Sequence, residues 1–154
     1  MTKILLALHV LAAILTVGPV AVAASMFPAT LRRASRDRVG TRSSLRILHR
    51  ICKVYAGVGI AVPVFGFATA SSLGVLGDAW LITSIVLTAA AAGVLILLVL
   101  PGQDRALTDE VSPAEAPATT TPSHQLAIAT GIFNVLWATV TVLMIIRPGS
   151  TTGA

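Results

Sequence analysis

The sequence predicts an all-α protein, a bundle of four transmembrane helices, and three observations carry that prediction. Only 11% of the 154 residues are charged while 55% are hydrophobic, whereas a soluble domain carries about 25% charged residues. Four stretches, 4–31, 54–77, 79–103 and 125–146, contain no Asp, Glu, Lys or Arg, and a membrane span needs about 20 consecutive apolar residues. The basic charge is gathered in one place: seven arginines lie between Arg32 and Arg50, with Lys53 just beyond. A soluble chain this short has no room to bury four such stretches. In lipid they are expected to be helices, because a helix satisfies its own backbone hydrogen bonds.

Span 1 is expected at about 4–27. Lys3, the apolar run and Ala21-Val22-Ala23 also fit a secretory signal peptide, but one lysine opposes seven arginines, so the segment reads as a retained helix. The basic loop 28–53 follows. Within it Leu45, Leu48, Cys52 and Tyr55 recur at helical spacing, with Arg46, Arg50 and Lys53 on another face. That pattern predicts an amphipathic turn at the membrane surface. Arg32, Arg33, Arg46, Arg50 and Lys53 then form a lipid-facing anchor for anionic head groups on the cytoplasmic side. The clustering argues against a nucleic-acid partner, which needs the charge spread over a surface.

Span 2 is expected at about 54–74 and a tight turn at 74–78 leads to span 3 at about 79–100. Asp78 is placed to cap that helix by accepting from its first N–H groups, and Trp80 falls at the level of an interfacial aromatic belt. Pro101-Gly102 is read as the stop. The loop 101–124 is expected to be flexible, most of all its Ala-, Thr- and Pro-rich part from Ser112 to Pro122. Span 4 runs over about 125–146, and the tail 148–154 is expected to be disordered. The positive-inside rule then places both termini of the multi-pass protein outside, and the Ala- and Arg-rich usage suggests a bacterial genome and so a bacterial cytoplasmic membrane.

The interior inventory bears on function. No acidic or basic side chain lies within a span, which lowers the case for proton-coupled transporters and ion pumps. Pro19 and Pro63 remove backbone donors and free the carbonyls of Leu15 and Gly59, and neighbouring hydroxyls can pair with them. Small residues four apart (Gly57 with Ala61, Gly66 with Ala70, Ala89 with Gly93, Ala127 with Gly131) suit close helix packing. Asn134 lies about 13 Å from the inner end of span 4 at about 1.5 Å per residue. Thr16 is expected at the same depth, so an Asn134–Thr16 hydrogen bond, or one from Asn134 to a freed carbonyl, is the structural expectation. Cys52 is the single cysteine, so an internal disulfide is excluded.

Of three histidines, His49 and His124 fall at the inner ends of spans 2 and 4, where they can meet. His9 falls in the outer half of span 1, about 8 Å below the edge. A hydrogen bond from His9 to the hydroxyl of Thr83 or Ser84 is one expectation. Haem b or copper ligation by His9, with Met144 at a similar depth, is the other.

The stretch Leu8-His9-Val10-Leu11, continuing through Ala12, Ala13, Ile14, Leu15, Thr16 and Val17 to Gly18, resembles the first helix of a group of uncharacterised bacterial four-helix membrane proteins. That group often reads Leu-His-Val-Leu, then Trp-Val-Gly-Gly. More distantly it is similar to the membrane-embedded copper-resistance D proteins. The resemblance implies a four-helix membrane fold and makes His9 the position that would carry a copper or haem role. This chain has Thr16 and Pro19 where the group has Trp and the second Gly.

The leading expectation is a non-enzymatic accessory or structural membrane component without cofactor, touching anionic lipid and either another membrane protein or further copies of itself. The alternatives are a haem- or copper-binding redox protein using His9, and a transporter of a small neutral molecule with a pocket near Pro19, Pro63 and Asn134.

Overall fold

The computed structural model describes residues 2–34, 38–109 and 121–149. Six α-helices and one π-helical turn fill this part: α1 (Thr2–Ala34), α2 (Arg38–Val58), α3 (Ala61–Leu73), α4 (Ala79–Val94), the π turn Leu95–Val99, α5 (Leu100–Asp109) and α6 (Thr121–Ile146). They group into four helical stretches long and apolar enough to cross a membrane: Thr2–Arg33, Gly40–Leu73, Ala79–Thr108 and Ser123–Ile146. The Ser112–Pro122 flexibility falls mostly, and the tail beyond Gly149 wholly, outside the described residues.

The spans alternate in direction. His9, Thr16 and Phe27 of α1 descend past Val62, Gly59 and Leu45 in turn, so α1 and the α2–α3 stretch are antiparallel. α1 also packs on α6, α6 on α4, and α2 on α5. Large aliphatic side chains point outwards: Ile145 is 75% exposed and Leu97 72%. Small and medium side chains fill the centre, with Val20, Ala23, Ala24, Cys52, Ala91, Leu95, Val99, Ala129 and Phe133 in one cluster fed by all four stretches. This distribution is what lipid favours, since hydrocarbon solvates a leucine as well as a core does and small residues let backbones approach.

Three expectations about the elements are corrected. Span 3 does not stop at Pro101-Gly102. The Leu100 N–H bonds back five residues to the Leu95 carbonyl, and this π turn lies just ahead of Pro101, where the missing N–H would otherwise break the ladder. The helix therefore continues to Asp109, so residues 101–109 are not loop. The helix before span 2 is not a lone turn on a lipid surface. α2 is continuous from Arg38, and its Leu45 and Leu48 pack against Phe27, Leu31, Ala106, Leu107 and Leu126. The amphipathic face expected to meet lipid thus meets the bundle. Finally, α1 continues to Ala34, straight through Pro28.

Span 2 is broken at Gly59–Ile60, between α2 and α3. Pro63 frees the Gly59 carbonyl as expected, but a backbone group takes it: Val62 N–H donates to it at 3.0 Å. At the far end α3 closes on Gly74 in the left-handed region, φ 71°, with its N–H turned to the Ala70 and Ser71 carbonyls. Glycine suits that conformation because it has no Cβ to clash. Asp78 does not cap α4 with its side chain. Its carboxylate accepts from the Trp80 indole N–H at 2.9 Å, and the Arg147 guanidinium stacks over the same ring, 5.7 Å from its centroid.

Candidate functional site

Among the described residues, polar side chains of different helices come together at two places in particular. The first is at the arginine-rich end, between α2 and α5. Gln103 is fully buried. Its Oε1 lies 3.1 Å from His49 Nδ1, and its Nε2 donates to Cys52 Sγ at 3.6 Å. His49 Nε2 lies 3.2 Å from Asp104 Oδ1. An imidazolium would donate to both oxygens, whereas a neutral ring can donate to only one. His49 therefore bonds α5 rather than His124, which is exposed. Pro101-Gly102 reads as a helix stop in the sequence, and that reading does not place Gln103 and Asp104 beside His49. The available signal was spacing: Leu95, Val99, Gln103 and Ala106 keep one helical face across Pro101, and all four are buried.

The second place is the seam between α1 and α6. Asn134 Nδ2 donates to Ser25 Oγ at 3.1 Å, and Thr130 Oγ1 approaches the Ala24 carbonyl at 3.5 Å. Ala24 is the residue whose carbonyl Pro28 deprives of its helical donor. The repair expected for Pro19 and Pro63 thus occurs at a third proline. Beside the seam lies a cavity of about 180 Å³, lined among others by Ser25, Arg32, Thr130, Gly131 and Asn134. Among the described residues, Asn134 Oδ1 is buried without a hydrogen-bond partner.

The expected Asn134–Thr16 bond is not made. Thr16 donates to the Ala12 carbonyl of its own helix and its methyl faces Gly59. Depth counted from the ends of charge-free runs misplaces the register, because α1 extends past the assumed end at residue 27. Asn134 consequently meets Ser25, nine residues further along.

His9 is buried, 8% exposed, and its Nδ1 lies 2.9 Å from the Val62 carbonyl. That carbonyl can only accept, so Nδ1 carries the proton. A Cβ on Gly66 would come within 3.0 Å of His9 Cε1 and 3.2 Å of Nδ1, so glycine makes room for the ring. The hydroxyls of Thr83 and Ser84 do not serve His9; they donate to the Ala79 and Trp80 carbonyls. Met144 packs with Ala70, Trp80 and Leu81. Among the described residues no three His, Cys, Asp or Glu side chains are grouped as metal ligands.

The basic anchor residues Arg32, Arg33, Arg46, Arg50 and Lys53 are all exposed, and Arg32 also lines the seam cavity. No curated protein and no solved structure matches the chain. A model of a family described as "Predicted integral membrane protein (DUF2269)" matches residues 3–148. That span covers nearly the whole chain and all four apolar helical stretches, and the protein belongs to this family of integral membrane proteins.

Proposed function

We propose that the protein is a non-catalytic accessory or structural component of a bacterial cytoplasmic membrane, with the arginine-rich end in the cytoplasm and both termini outside. One observation carries the reading: the polar side chains brought together between helices tie helix to helix. His49 and Gln103 join α2 to α5, Asn134 and Ser25 join α6 to α1, and His9 joins α1 to α3. Such bonds act as interhelical glue. The arginines, held at one end, supply the orientation and the contact with anionic lipid. Association with another membrane protein or with further copies belongs to the same reading.

A second reading is haem or copper binding at His9. It is favoured by the ring's Nδ1 contact with the Val62 carbonyl, which leaves Nε2 with its lone pair; metal-ligating histidines are commonly held this way. The visible spectrum of the purified protein, before and after dithionite, tests for haem, and elemental analysis of the purified protein tests for copper. The accessory reading expects no Soret band and full complementation of a deletion strain by His9→Gln. A Soret band abolished by His9→Ala overturns it.

A further inference from the structure

The cavity beside the α1–α6 seam is a candidate for a ligand of definite chemistry. At one end stands Arg32 and at the other Ser25 and Asn134, with Ala127, Thr130 and Gly131 along the α6 wall. Seven residues separate Arg32 from Ser25, about 10 Å along a helix. Side chains lean towards the N-terminus of their helix, so Arg32 leans down the cavity towards Ser25.

Most polar groups lining this space donate; Asn134 Oδ1, buried and without a partner among the described residues, is an acceptor beside them. Arg32 already makes a contact of its own, and its guanidinium carries five N–H groups, more than one contact uses. Ser25 Oγ receives one Asn134 N–H, and among the described residues its own hydroxyl proton has no acceptor. The second N–H of the Asn134 amide is also available. Thr130 is different, since its hydroxyl is turned to the Ala24 carbonyl. Donors at two levels, with a cation at the end nearer the water, complement a ligand that bears an anion at one level and neutral acceptors below it.

Size decides between a lipid and a helix. About 180 Å³ is roughly six water volumes, enough for a glycerol phosphate and the start of a chain. A second helix, about 10 Å across, does not enter it. A Cβ on Gly131 would meet nothing within 4 Å, so its bare backbone serves no contact inside the chain but widens the cavity wall.

The geometry points to a binding site for one anionic glycerophospholipid, from the leaflet at the arginine-rich end. Its phosphate sits on Arg32, a backbone ester carbonyl takes the Ser25 hydroxyl, and an acyl chain lies over Gly131.

Native mass spectrometry of the full chain in mild detergent tests this, with phosphatidylglycerol, phosphatidylcholine and inorganic phosphate as probes. The wild type is expected to retain one phosphatidylglycerol per chain in preference to phosphatidylcholine, and inorganic phosphate is expected not to displace it. Retention is expected to fall about tenfold in Arg32→Gln, where a charge-assisted contact goes, and likewise in Gly131→Leu, which fills the cavity. Ser25→Ala, a smaller change with little risk to folding, is expected to weaken it less, and Arg33→Gln, outside the cavity, not at all. Unchanged retention in Gly131→Leu and Ser25→Ala overturns the proposal. So does equal loss in Arg33→Gln, which makes the attraction a diffuse charge effect, or displacement by inorganic phosphate, which makes the site one for a free anion. Spontaneous cross-linking of Gly131→Cys between chains in native membranes also overturns it, assigning the seam to a second copy.

Discussion

Asn134 and Ser25, 109 residues apart in the chain, meet across the α1–α6 seam with the amide donating to the hydroxyl at 3.1 Å. This contact fixes the register of the last helix against the first. It gives a direct measure of what one polar contact is worth in this bundle. A double-mutant cycle with Ser25→Ala and Asn134→Leu, read by unfolding in mixed micelles, is expected to give a coupling of about 0.6 kcal/mol, the average for polar contacts between membrane helices. Asn134→Leu alone is expected to be mild, because the buried Oδ1 already lacks a partner among the described residues and the substitution removes that deficit. A coupling indistinguishable from zero would show that the contact is not formed.

The His9 ring and the bare backbone of Gly66 are expected to depend on one another. Gly66→Ala places a Cβ about where the imidazole edge lies and is expected to destabilise by about 1–3 kcal/mol, the usual range for overpacking. The same substitution in a His9→Ala background is expected to do much less harm. Equal losses in both backgrounds would place the strain elsewhere.

Gly102 makes the corresponding approach at the arginine-rich end. A Cβ there would stand 2.8 Å from Leu126 Cδ2, and Leu126 is only 4% exposed, so its methyl has little room to turn away. Gly102→Ala is expected to lower stability by about 1–3 kcal/mol, with partial rescue by Leu126→Ala. Thermal unfolding in detergent reads both.

Cys52 is fully buried and held by Gln103. Its thiol is expected to react with maleimide only as the bundle opens locally. Gln103→Ala leaves His49 and Cys52 without their common partner, a loss of about 1–3 kcal/mol. Labelling of Cys52 is then expected to quicken by about tenfold or more, since each 1.4 kcal/mol is a factor of ten in the open population. An unaltered rate would mean that the side-chain chain from Cys52 to Asp104 does not hold α5 in place.

Much of the fold was legible because lipid imposes one long-range rule. Runs without charge must be helices, and the structure has four helical stretches long and apolar enough to cross a membrane. Local punctuation was less reliable. Pro101 reads as a stop, yet the π turn at Leu95–Val99 absorbs it and the helix runs on. That continuation carries Gln103 and Asp104 to His49, so the polar network was lost to the sequence along with the helix. Depth was the other weak point. Charge-free runs locate a span but do not fix how far a helix projects beyond the bilayer, and this misaligned Asn134 with Thr16 instead of Ser25. The partner of His9 is the backbone carbonyl of Val62, not the hydroxyl of Thr83 or Ser84, and no side-chain pattern announces a backbone partner.

The most direct test of a four-span bundle with its arginines inside is single-cysteine labelling in a Cys52→Ala background, using a membrane-impermeant maleimide on intact and permeabilised cells. Gly77→Cys, in the exposed turn before α4, is expected to label in intact cells. Ser43→Cys, exposed on α2, is expected to label only after permeabilisation. Val86→Cys, 62% exposed on the apolar face of α4, is expected to stay unlabelled in both. Labelling of Ser43→Cys in intact cells would invert the orientation, and aqueous labelling of Val86→Cys would remove the bilayer from around the bundle.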